Sequence, residues 1–198
     1  MERHSLDPCE RLGIWPVRIV VGGLSGWSLW FLGDVDVLLS AHGKVPLYEA
    51  PEELRSALLS DEAVGPDRPT RLTGPILDAI LEASPAVADI DAATAWFARA
   101  DRKTSRVECE VALDGMNMVF DIASTVGDES LLDALSSAPI IDVLDRLTMM
   151  LTFLGQERGL TEDPDAISAL IDSTISSRVE WCARRAASYV LYVPSLGT

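Results

Sequence analysis

The sequence is poor in basic residues. Its 198 residues include 31 Asp and Glu but only 16 Lys and Arg, so the formal net charge is −15, and just two of the bases, Lys44 and Lys103, are lysines. An acidic surface repels the phosphates of nucleic acids and the anionic face of a membrane, which excludes both as direct partners. The natural complement of this charge is a basic protein.

Cysteine and histidine are also scarce. The three cysteines, Cys9, Cys109 and Cys182, are odd in number and far apart, so the sequence contains no disulfide framework and fits a reducing cytoplasm. The two histidines, His4 and His42, belong to no His/Cys cluster of the kind that binds zinc. We therefore expect a cytoplasmic protein without a metal or a cofactor.

No apolar run is long enough to span a bilayer. Residues 19–33 carry no charge, but they number fewer than the roughly 20 that a transmembrane helix needs, and they include four glycines. No small-residue cleavage site follows, so we expect neither a membrane span nor a signal peptide. A hydrophobic content of 48% and a mean hydropathy of +0.19 provide enough apolar side chains for a folded core.

Short alternating segments predict strands in the first quarter of the chain. Apolar and polar residues alternate or cluster in four runs separated by glycine-rich turns, at 17–21, 27–32, 34–39 and 45–48. Their short connections favour an antiparallel meander. Pro51 with Glu52 and Glu53 then predicts the start of a helix, because proline and acidic residues suit the first helical turn.

Helical signals dominate the rest of the sequence. The local signals are a capping box at Ser105–Glu108, stop signals at Gly127 and Gly155, and prolines at helix starts. They predict helices at 75–83, 91–101, 106–126, 129–136, 139–154 and 164–190. The predicted fold class is α+β, with a small N-terminal antiparallel sheet and one helix followed by a predominantly helical portion. The predicted divisions are an irregular terminus at 1–16, the meander and helix at 17–62, a linker at 63–74, and helices at 75–193 that share a core with the sheet.

Acidic residues concentrate in the predicted helices. Residues 107–177 contain fourteen acidic residues and two arginines, which accounts for twelve of the fifteen net negative charges. Like charges four residues apart on a helix repel each other by a few tenths of a kcal/mol, about 0.2–0.5, and no base lies between 107 and 145 to offset this. The row is either a docking surface for positive charge or a merely soluble face. As partner contacts we select Glu110, Asp114, Asp121, Asp128, Glu129 and Asp133.

The sequence motifs do not point to catalysis. Residues 22–26 are glycine-rich after a strand, but they match neither a dinucleotide fingerprint, a phosphate-binding P-loop nor a nucleophile elbow, so a hairpin turn explains them best. The pairs Asp34/Asp36, Asp89/Asp91 and Asp163/Asp165 do not continue into a calcium-binding loop. A small hydrolase or metal enzyme that uses Asp34, Asp36 and His42 is the least favoured alternative.

Two groups of residues resemble a known family. They are Trp30-Phe31-Leu32-Gly33 with Leu47-Tyr48, Pro51-Glu52-Glu53-Leu54 and Ser60-Asp61, and Cys109 with Asp121-Ile122-Ala123-Ser124 and Val126-Gly127. In this pattern the chain is similar to actinobacterial proteins labelled primosomal, a family that includes SatS-like export chaperones. The resemblance covers about a third of the chain. It implies a strand that leads into a short helix, and a protein that binds and protects a client without catalysis.

These observations support a leading hypothesis and one main alternative. The leading hypothesis is a non-enzymatic protein that docks a basic partner (a toxin, an enzyme or a secreted client), most concretely as an inhibitor or immunity-type protein. The alternative is a chaperone-like client binder that uses an exposed apolar patch. The sequence specifies neither the partner nor the oligomeric state.

Overall fold

The computed structural model describes residues 8–60, 72–99, 105–154, 167 and 170–194. Within this part of the chain, six strands form one mixed sheet in the order β5-β1-β2-β4-β6, with β3 also paired to β2. The strands are β1 (Ile14–Val21), β2 (Leu24–Phe31), β3 (Val37–Leu38), β4 (Val45–Tyr48), β5 (Ala86–Asp89) and β6 (Val190–Val193). The central strands β1, β2, β3 and β4 pair in antiparallel fashion, as the sequence predicts.

A tight turn joins β1 to β2. Gly22 and Gly23 have φ angles of 59° and 77°, the positive values that a two-residue hairpin turn requires at both positions. Their N–H groups donate to the two carboxylate oxygens of Asp91 at 2.7 and 2.8 Å. The hairpin predicted for residues 22–26 is therefore confirmed, and a side chain from the later helical portion anchors it.

The two outer strands come from segments where the sequence predicts no strand. β5 pairs with β1 and β6 pairs with β4, both in parallel, so the sheet is mixed and extends beyond the predicted meander. β6 begins at Val190, the last residue of the helix predicted over 164–190. Residues 167 and 170 are helical as predicted, but the helix is interrupted at Ile171 and Asp172, and Asp172 caps the final helix. Valine and tyrosine in β6 favour a strand once a partner is present. Local sequence patterns cannot reveal a partner strand that is distant in the sequence.

Two N-terminal predictions are also wrong. The strand predicted over 34–39 is confined to β3, because the chain bends at 33–35 and the Gly33 N–H donates to Asp36 Oδ1 at 3.1 Å. Such local side-chain bonds of Asp compete with strand pairing. Residues 8–12, predicted to be irregular, form the short helix α1 (Pro8–Leu12). β1 begins at Ile14, three residues before the predicted start at 17.

Within the part of the chain that the structure describes, seven further helices have defined bounds: α2 (Pro51–Leu59), α3 (Gly74–Leu81), α4 (Ile90–Ala98), α5 (Arg106–Val126), α6 (Glu129–Leu135), α7 (Ala138–Leu154) and α8 (Ser173–Ala187). The bounds of α5 match the prediction, because Ser105 and Glu108 form the capping box and Gly127 ends the helix at φ 69°. The α+β fold class is confirmed. Among the described helices, none combines the length and apolar character needed to cross a membrane.

Helices cover both faces of the sheet. On one face, sheet residues such as Val17, Ile19 and Leu47 share a core with the described helices from α4 to α8. On the other, Leu29 and Tyr48 pack with residues of α1, α2 and α3. The helix α3, predicted as part of the C-terminal helical portion, therefore lies with α2 across the sheet from it. Residues 63–71 of the predicted linker lie outside the described residues.

Helix α5 lies close against the start of α4 at Gly115. A Cβ atom at this position would lie 2.5 Å from the Ala93 Cβ and 2.9 Å from the Asp89 carbonyl oxygen. Both neighbours are small or backbone atoms at the junction of β5 and α4, so they have no flexible end that could move aside. Glycine at 115 therefore sets how close α5 lies to this junction.

We expect Gly115→Ala to destabilise the protein by about 1–3 kcal/mol, because the added methyl group overpacks the α4–α5 crossing. At an unhindered helical site the same change stabilises by about 1 kcal/mol, so the sign of the effect is diagnostic. Urea unfolding of the variant measures it. Asn117→Ala, at an exposed position on the same helix, is the control and should be neutral or slightly stabilising. Increased stability of Gly115→Ala would contradict the close approach.

Candidate functional site

The six acidic residues selected from the sequence do not form one continuous row. Glu110, Asp114 and Asp121 lie on α5, Asp128 caps α6, and Glu129 and Asp133 are exposed on α6. Glu110 is paired with Arg106 at 2.8 Å. Of the six, Asp114 and Asp121 line a common cavity. That any of them contacts a partner stays a prediction.

Asp128 is turned inward. Its side chain is buried, and its carboxylate accepts hydrogen bonds from Ser130 Oγ at 2.7 Å, Arg185 Nε at 2.7 Å and Tyr189 OH at 2.8 Å. It also accepts from the Leu131 N–H at 3.2 Å as the N-cap of α6. These bonds, that of Ser130 first, hold the pKa of Asp128 well below its usual range. Asp128 thus joins α6 to α8 within the protein.

A cavity of about 480 Å³ lies between α5 and the sheet. The sheet contributes apolar side chains from β1 and β5, and α5 contributes further apolar groups: Val17, Ala86, Val87, Ala88, Met118 and Phe120. Polar groups complete the lining: Trp30 of β2, Asp36 before β3, and Asp114, Asn117 and Asp121 of α5. None of the described lining residues is basic. The cavity therefore combines an apolar wall with three carboxyl groups.

The end of α5 is tied to the sheet beside this cavity. The Leu38 N–H donates to Thr125 Oγ1 at 2.8 Å, and the same hydroxyl donates to the Asp121 carbonyl oxygen at 2.6 Å. This link holds α5 across β3, one helical turn beyond Asp121. It brings the Asp121 carboxyl group towards Asp36, which is 85 residues earlier in the sequence.

Asp121 has the most perturbed environment of the acidic residues in the cavity. Its burial, followed by the negative charge of Asp36, raises the pKa of Asp121 to about 7. The Trp30 indole N–H opposes part of this shift, but it makes no hydrogen bond of normal geometry and its nitrogen is buried. A strongly shifted acid in a cavity is a typical mark of a functional site.

Asp114 lies seven residues, about two helical turns, before Asp121 on α5 and lines the same cavity. Partial desolvation by the surrounding groups, and then the charge of Glu110, raises the pKa of Asp114. Its exposed side chain lies at the rim of the cavity, whereas Asp121 is partly buried. The two acids therefore present negative charge at two depths along one wall.

The residues of the enzyme alternative are not gathered in this cavity. Asp36 lines it, but Asp34 is exposed in the bend and His42 is exposed in the turn between Ala41 and Lys44, with φ 54°. Within the described residues, no three His, Cys, Asp or Glu side chains are placed to hold a metal ion. The expectation that the protein is not an enzyme remains a prediction.

A second cavity of about 540 Å³ lies between α4 and α8. Small side chains such as Ala95, Ser176 and Ala183 form much of its lining, and its charged groups already have partners: Asp91 binds the hairpin turn, and Arg184 pairs with Glu180 at 3.6 Å. The cavity beneath α5 is the better candidate because none of its described lining residues is a cation that could pair with Asp121, and the buried Trp30 indole nitrogen makes no hydrogen bond of normal geometry.

Two of the residues selected from the sequence lie in this cavity. Sequence reasoning selected Asp114 and Asp121 but did not select Asp36, Trp30 or the strand β5 as their neighbours. The run Ala86-Val87-Ala88-Asp89 after Pro85 was an available strand signal, since it is short, alternating and follows a helix breaker. The approach of Asp36 to Asp121 had no local signal.

No family model and no curated protein matches the sequence. The fold is similar to that of a crystal structure of the C-terminal domain of SatS in complex with bromine, with a TM-score of 0.57 and 17% sequence identity. The match covers 96% of this chain and 98% of the SatS domain. The likeness shows a similar fold, and the resemblance inferred from the residues agrees with it at that level alone. At this identity it does not carry over site residues.

We expect Asp128→Ala to lower the free energy of unfolding by about 2 kcal/mol at pH 7, since it removes a helix cap and leaves hydrogen-bond donors unpaired. The folded-state pKa of Asp128 is depressed, so its contribution is present above the unfolded value of about 3.9 and is lost as the pH falls further. Urea unfolding at pH 7 and pH 3 measures this. Asp128→Asn keeps the cap and should lose less. An equal loss at both pH values would contradict the assignment.

We expect Asp121→Asn to raise the melting temperature by roughly 2–4 °C more at pH 8 than at pH 5. The raised pKa of about 7 means that the folded protein keeps a proton that the unfolded chain releases near pH 4, so Asp121 costs stability as the pH rises between these values. Asparagine removes this titration. Calorimetry at both pH values tests it, and an equal gain in the control Asp133→Asn, an exposed position on α6, would contradict it.

Proposed function

We propose that the protein is a chaperone-like client binder that holds an extended segment of a basic, incompletely folded protein in the cavity between α5 and the sheet. The observation that carries this proposal is the lining of the cavity, in which an apolar wall faces three carboxyl groups and no described base. A segment with apolar and cationic side chains complements both parts.

The apolar wall supports contact with an unfolded segment. Val87 is 57% exposed in β5, and the partly exposed Phe120 of α5 lines the other side, where Met118 is only 3% exposed. Burial of apolar surface is the main driving force for such binding, and unfolded chains expose the side chains that folded partners conceal. A volume of about 480 Å³ holds a few side chains and excludes a folded domain.

The position of β5 supports an extended conformation of the bound segment. Among the described residues β5 pairs only with β1, so its other edge carries no strand. A strand edge offers N–H and C=O groups to an incoming peptide, which is a common mode of peptide recognition. A segment that pairs with β5 would place alternate side chains towards α5.

The fold comparison favours the chaperone-like alternative over the inhibitor or immunity-type protein. The resemblance to SatS-like export chaperones implies client binding, and the likeness to the SatS C-terminal domain supports the same fold over the length of this chain. A docked basic toxin or enzyme would use the same charge complementarity, but no observation on this structure favours a folded partner. We therefore propose a client segment, including one from a secreted protein.

Binding of labelled peptides of about twelve residues tests the proposal by fluorescence anisotropy. A peptide that alternates leucine or valine with arginine should bind at least tenfold more tightly than its glutamate-containing counterpart, because like charges in an interface cost several kcal/mol. Asp114→Lys should weaken this binding at least tenfold. The affinity should also fall at high salt, since the exposed Asp114 carboxylate is screened.

The control is Asp133→Lys, which makes the same charge change at an exposed position on α6, outside the cavity. It should leave the affinity within about twofold of the wild type. Equal weakening by both variants would mean that the peptide binds a diffuse acidic surface rather than the cavity, as the inhibitor hypothesis expects. Absence of binding by any peptide at low salt would refute the proposed function.

A further inference from the structure

We propose that the Asp36–Asp121 end of the cavity is a proton-gated binding site for one arginine side chain of the client, which Asp121 accepts only after it has lost its own proton. This inference rests on the proposed function and specifies the side chain that the cavity recognises. It follows from three features of the cavity: two carboxyl groups in one lining, a buried indole nitrogen without a hydrogen bond of normal geometry, and the aromatic side chains.

The pairing of the two carboxyl groups comes first. Asp121 is partly buried on α5, and the charge of Asp36 acts on it from the loop before β3. Two carboxylates that approach each other in a partly buried site repel, and a proton on one of them relieves the repulsion. A guanidinium group relieves it equally well, because it is permanently charged and has donors in a plane for two carboxylates.

None of the described residues that line the cavity is a cation that could pair with Asp121 in place of a ligand. α5 adds the acid Asp114, β2 adds Trp30, and β1 and β5 add only apolar side chains. Every titratable group among these described lining residues is therefore acidic. A cation from outside is the group that this arrangement lacks.

The aromatic lining favours arginine over lysine. Trp30 and Phe120 both line the cavity, and a planar guanidinium stacks on aromatic faces while it donates hydrogen bonds in its own plane. The Trp30 indole nitrogen is buried and makes no hydrogen bond of normal geometry, so its N–H can bond more strongly to Asp121 once this acid is ionised. A lysine ammonium is more strongly hydrated and has no planar face for stacking.

The proton provides the gate. Burial and Asp36 raise the pKa of Asp121 to about 7 in the unoccupied protein, so the acid is mostly protonated at pH 6 and mostly ionised at pH 8. Binding of the guanidinium releases this proton to solvent. The affinity should consequently rise about tenfold from pH 6 to pH 8, and then level off.

Three peptides that differ at one position, with arginine, lysine or the neutral isostere citrulline, test this inference. Isothermal titration calorimetry at pH 6 and pH 8, in buffers of different ionisation enthalpy, gives affinity and proton release together. We expect the arginine peptide to gain about tenfold in affinity with pH and to release a proton at pH 6. The citrulline peptide should bind at least tenfold more weakly at pH 8, without pH dependence.

Asp121→Asn should abolish the pH dependence and most of the preference for arginine, whereas Asp133→Asn should keep both. Near-ultraviolet circular dichroism confirms that each variant is folded. The Trp30 indole N–H resonance, assigned among the five tryptophans with Trp30→Phe, should titrate near pH 7 and shift when the arginine peptide binds.

The outcomes separate this inference from the proposed function. Equal binding of the arginine and citrulline peptides, or an affinity that does not change with pH, overturns the proton-gated arginine site but leaves client binding in place if Asp114→Lys still weakens it. Equal pH-dependent binding of the lysine peptide overturns the assignment to arginine. Failure of every peptide to bind at both pH values refutes the proposed function and this inference together.

Discussion

The contact between α5 and the junction of β5 with α4 determines the arrangement of the rest of the protein. Gly115 brings the helix to within van der Waals distance of the Asp89 backbone, and Thr125 ties its other end to β3. Between these two attachments α5 contributes Asn117, Met118, Phe120 and Asp121 to the cavity, whose lining includes Val17 of β1 and Trp30 of β2. Large side chains at one attachment would lift the helix and open the cavity to water. The shape of the candidate site is thus a consequence of packing rather than of the acidic residues that it contains.

Position, rather than number, decides what each carboxyl group does. Asp128 and Asp121 are seven residues apart and both are shielded from solvent, yet hydrogen bonds from four donors favour the ionised form of the first, while burial beside Asp36 favours the protonated form of the second. Glu110 is neutralised by Arg106 on its own helix. A net charge of −15 therefore gives little information on the field that a partner would meet. The protein separates structural acids from those that remain available to a ligand.

The sequence predicts the parts of the fold that local interactions determine. The ends of α5 follow from Ser105, Glu108 and Gly127, and the hairpin follows from adjacent glycines, because each of these signals acts over a few residues. β5 and β6 depend instead on parallel pairing with strands that lie far away in the sequence. The candidate site divides in the same way: helical periodicity relates Asp114 to Asp121, but only the tertiary fold brings Asp36 and Trp30 to them.

The order of the strands has a consequence for biogenesis. β4, in the first quarter of the chain, pairs on one side with β6, whose last residue is Val193. During synthesis the N-terminal hairpin emerges long before this partner, so the sheet stays incomplete until almost the whole of these 198 residues has left the ribosome. Pairing over such a sequence separation slows folding. A protein of this design has to survive an interval with an open strand edge and exposed apolar side chains, the same kind of surface that we propose it binds in others.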